Sequence, residues 1–428
     1  MKFPFGKRTH EGEDPSRGDG SGIGQRIGRF FSPEPQMEKV LRAEDFHAAG
    51  DTYYATVSAG YKVAQRLLWT AFVIFLMCSI LFNYQEITYD NFFYLIKDFS
   101  GAADTDGRQY ETLSYESDSR QNFVLYRGGL ATVSPSKISV FTATGRRSFQ
   151  ATSSFSSPYA VSSNRYVLIY DTSGKTFSVY NSFARVYTET LDFSITDACF
   201  MEDGSFVIVT RSSDYHSVIR VYNKRFEKAA ELRSDAFVFD IAASKKENTL
   251  TIASYDAGNG VGQTYLSVRE LATLEETKRV VLEGEFPLGC DFLGGQGFAL
   301  VTNRHIRIYD SDFSESEKSA DFSGEILRGF TLSPEGVAVA TIEASQNKVY
   351  AFDRKGNELF SDPVAYNVLD IGMAGSYLFL QTEQGVARLY APDGSAQILP
   401  SGHGALLVYN EETALVCGES KAEYLIFS

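Results

Sequence analysis

The sequence predicts an all-β fold, a β-propeller of eight four-stranded blades (seven is the alternative), preceded by one transmembrane helix and a disordered N-terminal tail. Three observations lead there. Aromatic residues make up 14% of the 428 positions, with 25 Tyr and 33 Phe, and such side chains suit a pleated surface better than a helix. A strand ending in an aliphatic-aromatic pair recurs at steps of 37 to 47 residues, the period of propeller blades. One stretch, 67 to 85, runs about 19 residues without a charge, enough helix to cross a hydrocarbon core of about 30 Å.

In chain order, residues 1–60 read as a disordered cytoplasmic tail. Its first 35 positions are rich in Gly, Pro, Ser and charge, including Gly-Asp-Gly-Ser-Gly-Ile-Gly at 18 to 24, and cannot bury enough apolar surface to offset the entropy of ordering. No strand precedes those glycines and the GxGxxG spacing is not met, so a phosphate loop is excluded. Ile23, Ile27, Phe30 and Phe31 recur at helical spacing beside Arg26 and Arg29. They make either a disordered segment with a few sticky residues, the preferred reading, or a short helix for anionic lipid or a partner.

Residues 61–86 are the expected transmembrane helix, contacting membrane lipid, with Tyr61, Trp69, Tyr84 and Tyr89 as interfacial rings. A cleaved signal peptide is disfavoured because the run starts more than 60 residues in. Lipid attachment at Cys78 is disfavoured because Phe75-Leu76-Met77 lacks the small residue it needs. Lys62 and Arg66 before the span, against Glu86, Asp90, Lys97 and Asp98 after it, put the N-terminus in the cytoplasm and the large domain outside. The expected location is therefore the cell membrane, single-pass, with the propeller extracytoplasmic. Residues 87–108 form a juxtamembrane segment and linker. The part from Tyr89 to Phe99 is too apolar for a free linker and is expected as a short helix, whereas 100–108 is a linker in composition.

Residues 109–428 are the expected propeller. Its repeated strand reads Ser-Val-Phe-Thr at 139 to 142, Ser-Val-Tyr-Asn at 178 to 181, Arg-Val-Tyr-Asn at 220 to 223 and Arg-Ile-Tyr-Asp at 307 to 310. The aromatic position falls at Phe141, Tyr180, Tyr222, Tyr309, Phe352, Tyr390 and Phe427, with Arg269 standing in for one ring. Eight markers give eight blades. Apolar runs such as Ser205-Phe-Val-Ile-Val-Thr210 suit strands buried on both faces. The turns Met201-Glu-Asp-Gly204 and Leu332-Ser-Pro-Glu-Gly336 place glycine where a positive φ is needed. The last marker strand closes the chain, so blade eight lacks an outer strand. The strand-like segment 110–117, before the first blade, is expected to supply it and remove the open edge.

The stretch Arg328-Gly-Phe-Thr-Leu-Ser-Pro-Glu-Gly-Val-Ala-Val-Ala-Thr341 resembles the inner hairpin of WD-repeat, YVTN-type and quinoprotein-like propellers. The whole chain resembles uncharacterised membrane-anchored β-propeller proteins of Gram-positive bacteria, over residues 110–428. It departs from true WD repeats in lacking the Trp-Asp pair, and from quinoprotein blades in lacking their tryptophans, since Trp69 is the sole Trp. In architecture, though not in anchoring, it is similar to the propeller lipoproteins that assist outer-membrane protein assembly.

Charge excludes one class of partner. Up to Arg66 the chain has 10 Lys/Arg against 9 Asp/Glu; beyond it, 30 against 45 of the totals of 40 and 54. A domain of net charge about −15 does not bind nucleic acid. Cys199, Cys290 and Cys417 lie in apolar strand-like surroundings, with no CxxC or Cys/His cluster, and read as buried thiols rather than a disulfide framework.

Catalytic, cofactor and metal sites are expected to be none. His216, His305 and His403 fall on different blades, and neither HExxH nor GxSxG occurs. Ser134-Pro-Ser-Lys137 matches Ser-x-x-Lys but lies in a hairpin instead of at a helix start. Asp310, Asp312 and Glu315, and Asp104 with Asp106, are close-set oxygens without the full spacing of a calcium loop. The expected function is that of a non-catalytic, membrane-tethered interaction scaffold with a protein partner in the cell envelope. The alternative is an extracytoplasmic propeller enzyme, or a carbohydrate- or small-ligand-binding protein, with its site at the central channel.

Overall fold

A computed structural model describes residues 49–82, 112–257, 260–294, 297–315 and 319–427. The tail to residue 48, the juxtamembrane stretch 87–108 and the pair Asp104 and Asp106 lie outside the described residues. The chain divides into two units, Met1–Asp104 and Thr105–Ser428.

The first unit holds helix α1, Ala49–Phe82. It begins twelve residues ahead of the apolar span at Tyr61, over a stretch, 49 to 60, that contains no proline to break it. Within it, Tyr61–Cys78 has a mean hydropathy of 1.3 and is long and apolar enough to cross a membrane. Leu67, Leu68, Phe72 and Phe75 are all exposed.

The second unit is an eight-bladed propeller: among the described residues, eight four-stranded antiparallel sheets. Seven are consecutive meanders, spanning 122–152, 158–190, 195–234, 237–283, 287–321, 326–364 and 370–399. The eighth combines Ala405–Val408, Thr413–Cys417 and Lys421–Ile426 with Thr112–Ser114 from the start of the domain. The first strands of successive blades lie against one another all the way round, the last against the first. The sequence markers occupy one register position: Phe141 faces Leu130, Tyr180 faces Val167, Tyr222 faces Phe206 and Phe352 faces Val337, each across the second and third strands.

The core is divided. Eight apolar clusters fill the eight gaps between neighbouring blades. In the gap between blades two and three, Phe177, Phe206 and Tyr222 pack together, the last two stacked at 4.8 Å. Each such ring contributes roughly 1.5–3 kcal/mol by leaving water. Second strands such as Phe206–Thr210 are buried throughout, having a blade on each side. Outer strands such as Arg147–Thr152 alternate in exposure because one face meets solvent. Arg269 fits a ring position because its guanidinium is spent locally, on Leu274 O at 2.8 Å and Glu276 at 3.1 Å. Gly204 adopts φ 88°, as its turn requires.

Closure is made by the segment expected to make it. Thr112, Leu113 and Ser114 pair with Glu423, Ala422 and Lys421. Leu113 is buried among Leu130, Phe141, Leu415 and Ala422. Beyond the strand, Tyr115 N donates to Ser420 O at 2.9 Å and its hydroxyl to Gly418 O at 2.6 Å.

Candidate functional site

Because every blade repeats the same strand order, all first strands begin on one face of the ring and end on the other, and their side chains meet around the axis. Four of them carry an aspartate within an apolar run: Asp197, Asp240, Asp291 and Asp370. In each, Oδ1 accepts the N–H of the next residue, at 2.8, 3.0, 2.8 and 2.9 Å. The second oxygen of Asp240 takes the N–H of Cys290 at 2.6 Å, and that of Asp370 the N–H of Leu406 at 3.3 Å. Asn122 does the same for Ala160 at 3.1 Å. These bonds run from one blade to the next, so the polar side chains near the axis act as staples between blades.

Blades three to five concentrate the charge. Asp197 and Asp240 are buried side by side in this interior, and Asp197 Oδ2 has no hydrogen-bond partner. Two neighbouring carboxyls out of water disfavour carrying two charges at once. Burial pushes Asp197 up to about 6 and Asp240 well above the ordinary range. Burial also lifts Asp291 to about 7, with the Asp240 charge adding to it. Cys199 and Cys290 sit in the same field, their thiols raised by burial and then by these carboxylates, which leaves them poor nucleophiles.

Asp291 also lines a cavity of about 520 Å³ on the face where first strands end, with Glu202, Lys246, Asp310, Phe298 and Phe313 among its walls. Glu202 is tied down by Ser244 Oγ at 2.5 Å and Lys245 N at 2.7 Å. Among the described residues no three His, Cys, Asp or Glu side chains come together as a metal set.

Asp291 binds its proton more tightly when folded, from the ordinary 3.8 to about 7. Between those values the folded state holds a proton that the unfolded chain has released, so its contribution to stability is full below pH 3.8 and is lost as pH rises through 7. Asp291→Asn is therefore expected to match the parent near pH 4 and to exceed it by on the order of 1–3 kcal/mol at pH 8. Thermal unfolding of the detergent-solubilised chain at the two pH values measures this; parallel pH profiles would contradict it.

The residues weighed from sequence stay apart. His216 stacks on Phe237 at 4.1 Å, whereas His305 lies 3.2 Å from Glu285 and 3.4 Å from Asp321, on another blade. Ser134 Oγ is used by its own hairpin, accepting from Lys137 N at 3.1 Å, and Lys137 pairs with Glu116. Asp312 closes a turn on Ser314. Cys290 and Cys417 are buried and Cys199 half-buried. The sequence reading missed the axial aspartates. Their signal is a lone Asp inside an apolar strand, as in Phe239-Asp-Ile-Ala242 and Cys290-Asp-Phe-Leu293, a residue that strands ordinarily exclude.

On the opposite face, where first strands begin, apolar side chains are exposed on several blades: Tyr159, Phe237, Phe239, Ile326 and Leu369. They share one rim.

The model of a family described as a family of unknown function, DUF5711, matches residues 105–397. The chain belongs to that family. The matched region holds the closing strand and blades one to seven up to position 397. No curated protein matches in sequence. Among solved structures, BamB from Moraxella catarrhalis is similar in fold, with 13% identity, a TM-score of 0.51, and 75% of this chain and 99% of that one covered. The Pan2 WD40 domain of Neurospora crassa is similar at 11% identity and a TM-score of 0.45, over 62% of this chain and 88% of that one.

Proposed function

We propose that the protein is a non-catalytic scaffold of the cell envelope: a propeller held outside the cytoplasm by a single-pass helix, with a cytoplasmic tail ahead of the span, binding a protein partner through one face. The observation that carries the reading is the apolar rim of Tyr159, Phe237, Phe239, Ile326 and Leu369, exposed on four blades of a domain that is otherwise strongly acidic. Exposed apolar surface shared by several elements on one face is the mark of an interaction site. The exposed Leu67, Leu68, Phe72 and Phe75 of α1 support the anchor, since rings and aliphatics at such density need hydrocarbon around them. Membership of a Gram-positive membrane-anchored group fits the same anchor.

A second reading, a small-ligand or carbohydrate site at the channel, draws on the Asp197–Asp240–Asp291 cluster and the adjoining cavity. Affinity capture of the full chain from detergent extracts separates the two. One stoichiometric protein partner is the expected result. No partner, with a small molecule retained by the purified chain, would replace the scaffold with the channel site.

A further inference from the structure

The exposed apolar rim is densest where blades three, four and five meet. Phe239 lies 4.6 Å from Phe286 edge to face, and Tyr255 completes the trio at 5.0 Å from Phe286 and 6.2 Å from Phe239. Phe237 lies two residues from Phe239 and carries His216 stacked on its ring. Phe237 is 53% exposed, Phe239 44%, and Val261 in the adjoining hairpin 54%. Phe239 is exposed because it is the extra residue of a β-bulge, between the pairs Val238↔Ser254 and Asp240↔Ala253. The same bulge sends Asp240 inward to its staple on Cys290, so the outward ring and the inward carboxyl are set by one irregularity.

The surroundings of this patch are acidic. Asp214, Asp235, Asp256 and Glu283 are all exposed, each within three residues of one of its rings, against the guanidiniums of Arg211, Arg304 and Arg233, the last held by Glu231 at 3.6 Å and the Tyr215 ring. That excludes two occupants. An anionic bilayer would be repelled by such a face. A second copy would bring the same carboxylates against themselves.

We propose that this patch binds a segment of a partner protein in which an aromatic or aliphatic anchor is flanked by Lys or Arg. The anchor packs against Phe239 and Phe286, and the basic flanks meet Asp235 and Glu283. This rests on the scaffold reading and names the chemistry of the partner's contact.

Fluorescence anisotropy on the full chain in detergent tests it, with a synthetic peptide alternating Lys with Phe and Leu as probe. Its affinity is expected to fall at least tenfold in Phe239→Ser, and three- to fivefold in each of Asp235→Asn and Glu283→Gln with a weaker salt dependence. The counterpart with Glu in place of Lys is expected not to bind. Phe239 is exposed enough for the serine variant to melt with the parent, and a Phe239→Leu variant, keeping an apolar side chain there, is expected to restore most of the affinity. Equal binding of the basic and acidic peptides, no loss in Phe239→Ser, or tighter binding to anionic vesicles than to the peptide would each overturn the proposal. If Phe239→Ser still captures the parent's stoichiometric partner, this patch is wrong and the scaffold stands; if the parent captures none, the scaffold itself fails.

Discussion

Replacing Leu113 by Asp is expected to lower the melting temperature of the propeller as a whole, by on the order of 10 °C, although only one residue of a three-residue strand is changed. Leu113 is 3% exposed in the cluster that joins blade eight to blade one. Removing a buried leucine side chain costs about 2–5 kcal/mol, and a carboxylate in its place must also shed its water. In a domain of this size each kcal/mol moves the midpoint by about 2 °C. The loss is expected to be global because the eight apolar clusters are linked in a circle. Once Lys421–Ile426 loses its neighbour, the gap beside Leu130 and Phe141 opens, and the seam bonds of Tyr115 go with it. Deleting 110–117 is expected to be worse still. Differential scanning calorimetry of the detergent-solubilised chain measures both; a midpoint unchanged in the deletion would show that the circle does not depend on this strand.

The second large effect concerns Glu285, 4% exposed between blades four and five. Its carboxylate accepts from Thr302 Oγ1 at 2.8 Å and from the Arg307 guanidinium, and its backbone oxygen from Thr264 Oγ1 at 2.7 Å. Burial works to raise this carboxyl, but the hydrogen bonds from Arg307 and Thr302 outweigh it and hold it below the usual value. The contribution of the depressed group is present above pH 4.5 and is lost as pH falls below it. Glu285→Gln leaves Arg307 facing a neutral group with Glu315 as its remaining ion partner among the described residues. Stripping one member from a buried pair costs about 3–5 kcal/mol, here about 3 because Glu315 remains. Glu315→Gln, at a far more exposed carboxylate, is expected to cost under about 1 kcal/mol. Adding Arg307→Met to Glu285→Gln is expected to restore part of the loss, since an apolar side chain leaves no charge unpaired. Denaturant titrations at pH 7 compare the variants; equal costs for the two single changes would mean that burial of Glu285 has no energetic weight.

The blade count was legible because one position, the ring closing each third strand, faces the gap between blades and must be large and apolar wherever nothing else fills it. Tyr222 and Phe352 answer that demand directly, while Arg269 answers it with a hydrogen-bonded guanidinium, which is why spacing and not residue type identified it. The closing strand was legible by subtraction, as one unassigned strand beside one blade that lacked its fourth. The axial carboxyls were not. Asp197, Asp240 and Asp291 are brought together by the ring and by nothing local, since each follows its own hairpin and its neighbour lies a full blade away in sequence. The aromatic patch escaped for the same reason, with Phe239 exposed by a bulge that leaves no trace in the periodicity. The apolar span from Tyr61 was legible from its lack of charge, whereas the helical turns ahead of it, from Ala49, carry no apolar signal.

Leu113 finds its partner Ala422 more than 300 positions along the chain. Contacts so distant are formed late and slowly, since most of the polymer between them must already be arranged. During synthesis the first strand of the domain to emerge is thus the one kept waiting longest, with a bare edge on either side of an unfinished circle. A nascent chain halted after blade seven would hold seven assembled sheets and two unpaired borders, the state most prone to joining a neighbour. The strand Lys421–Ile426 acts as a latch, and the time it takes to arrive sets how long that hazard lasts.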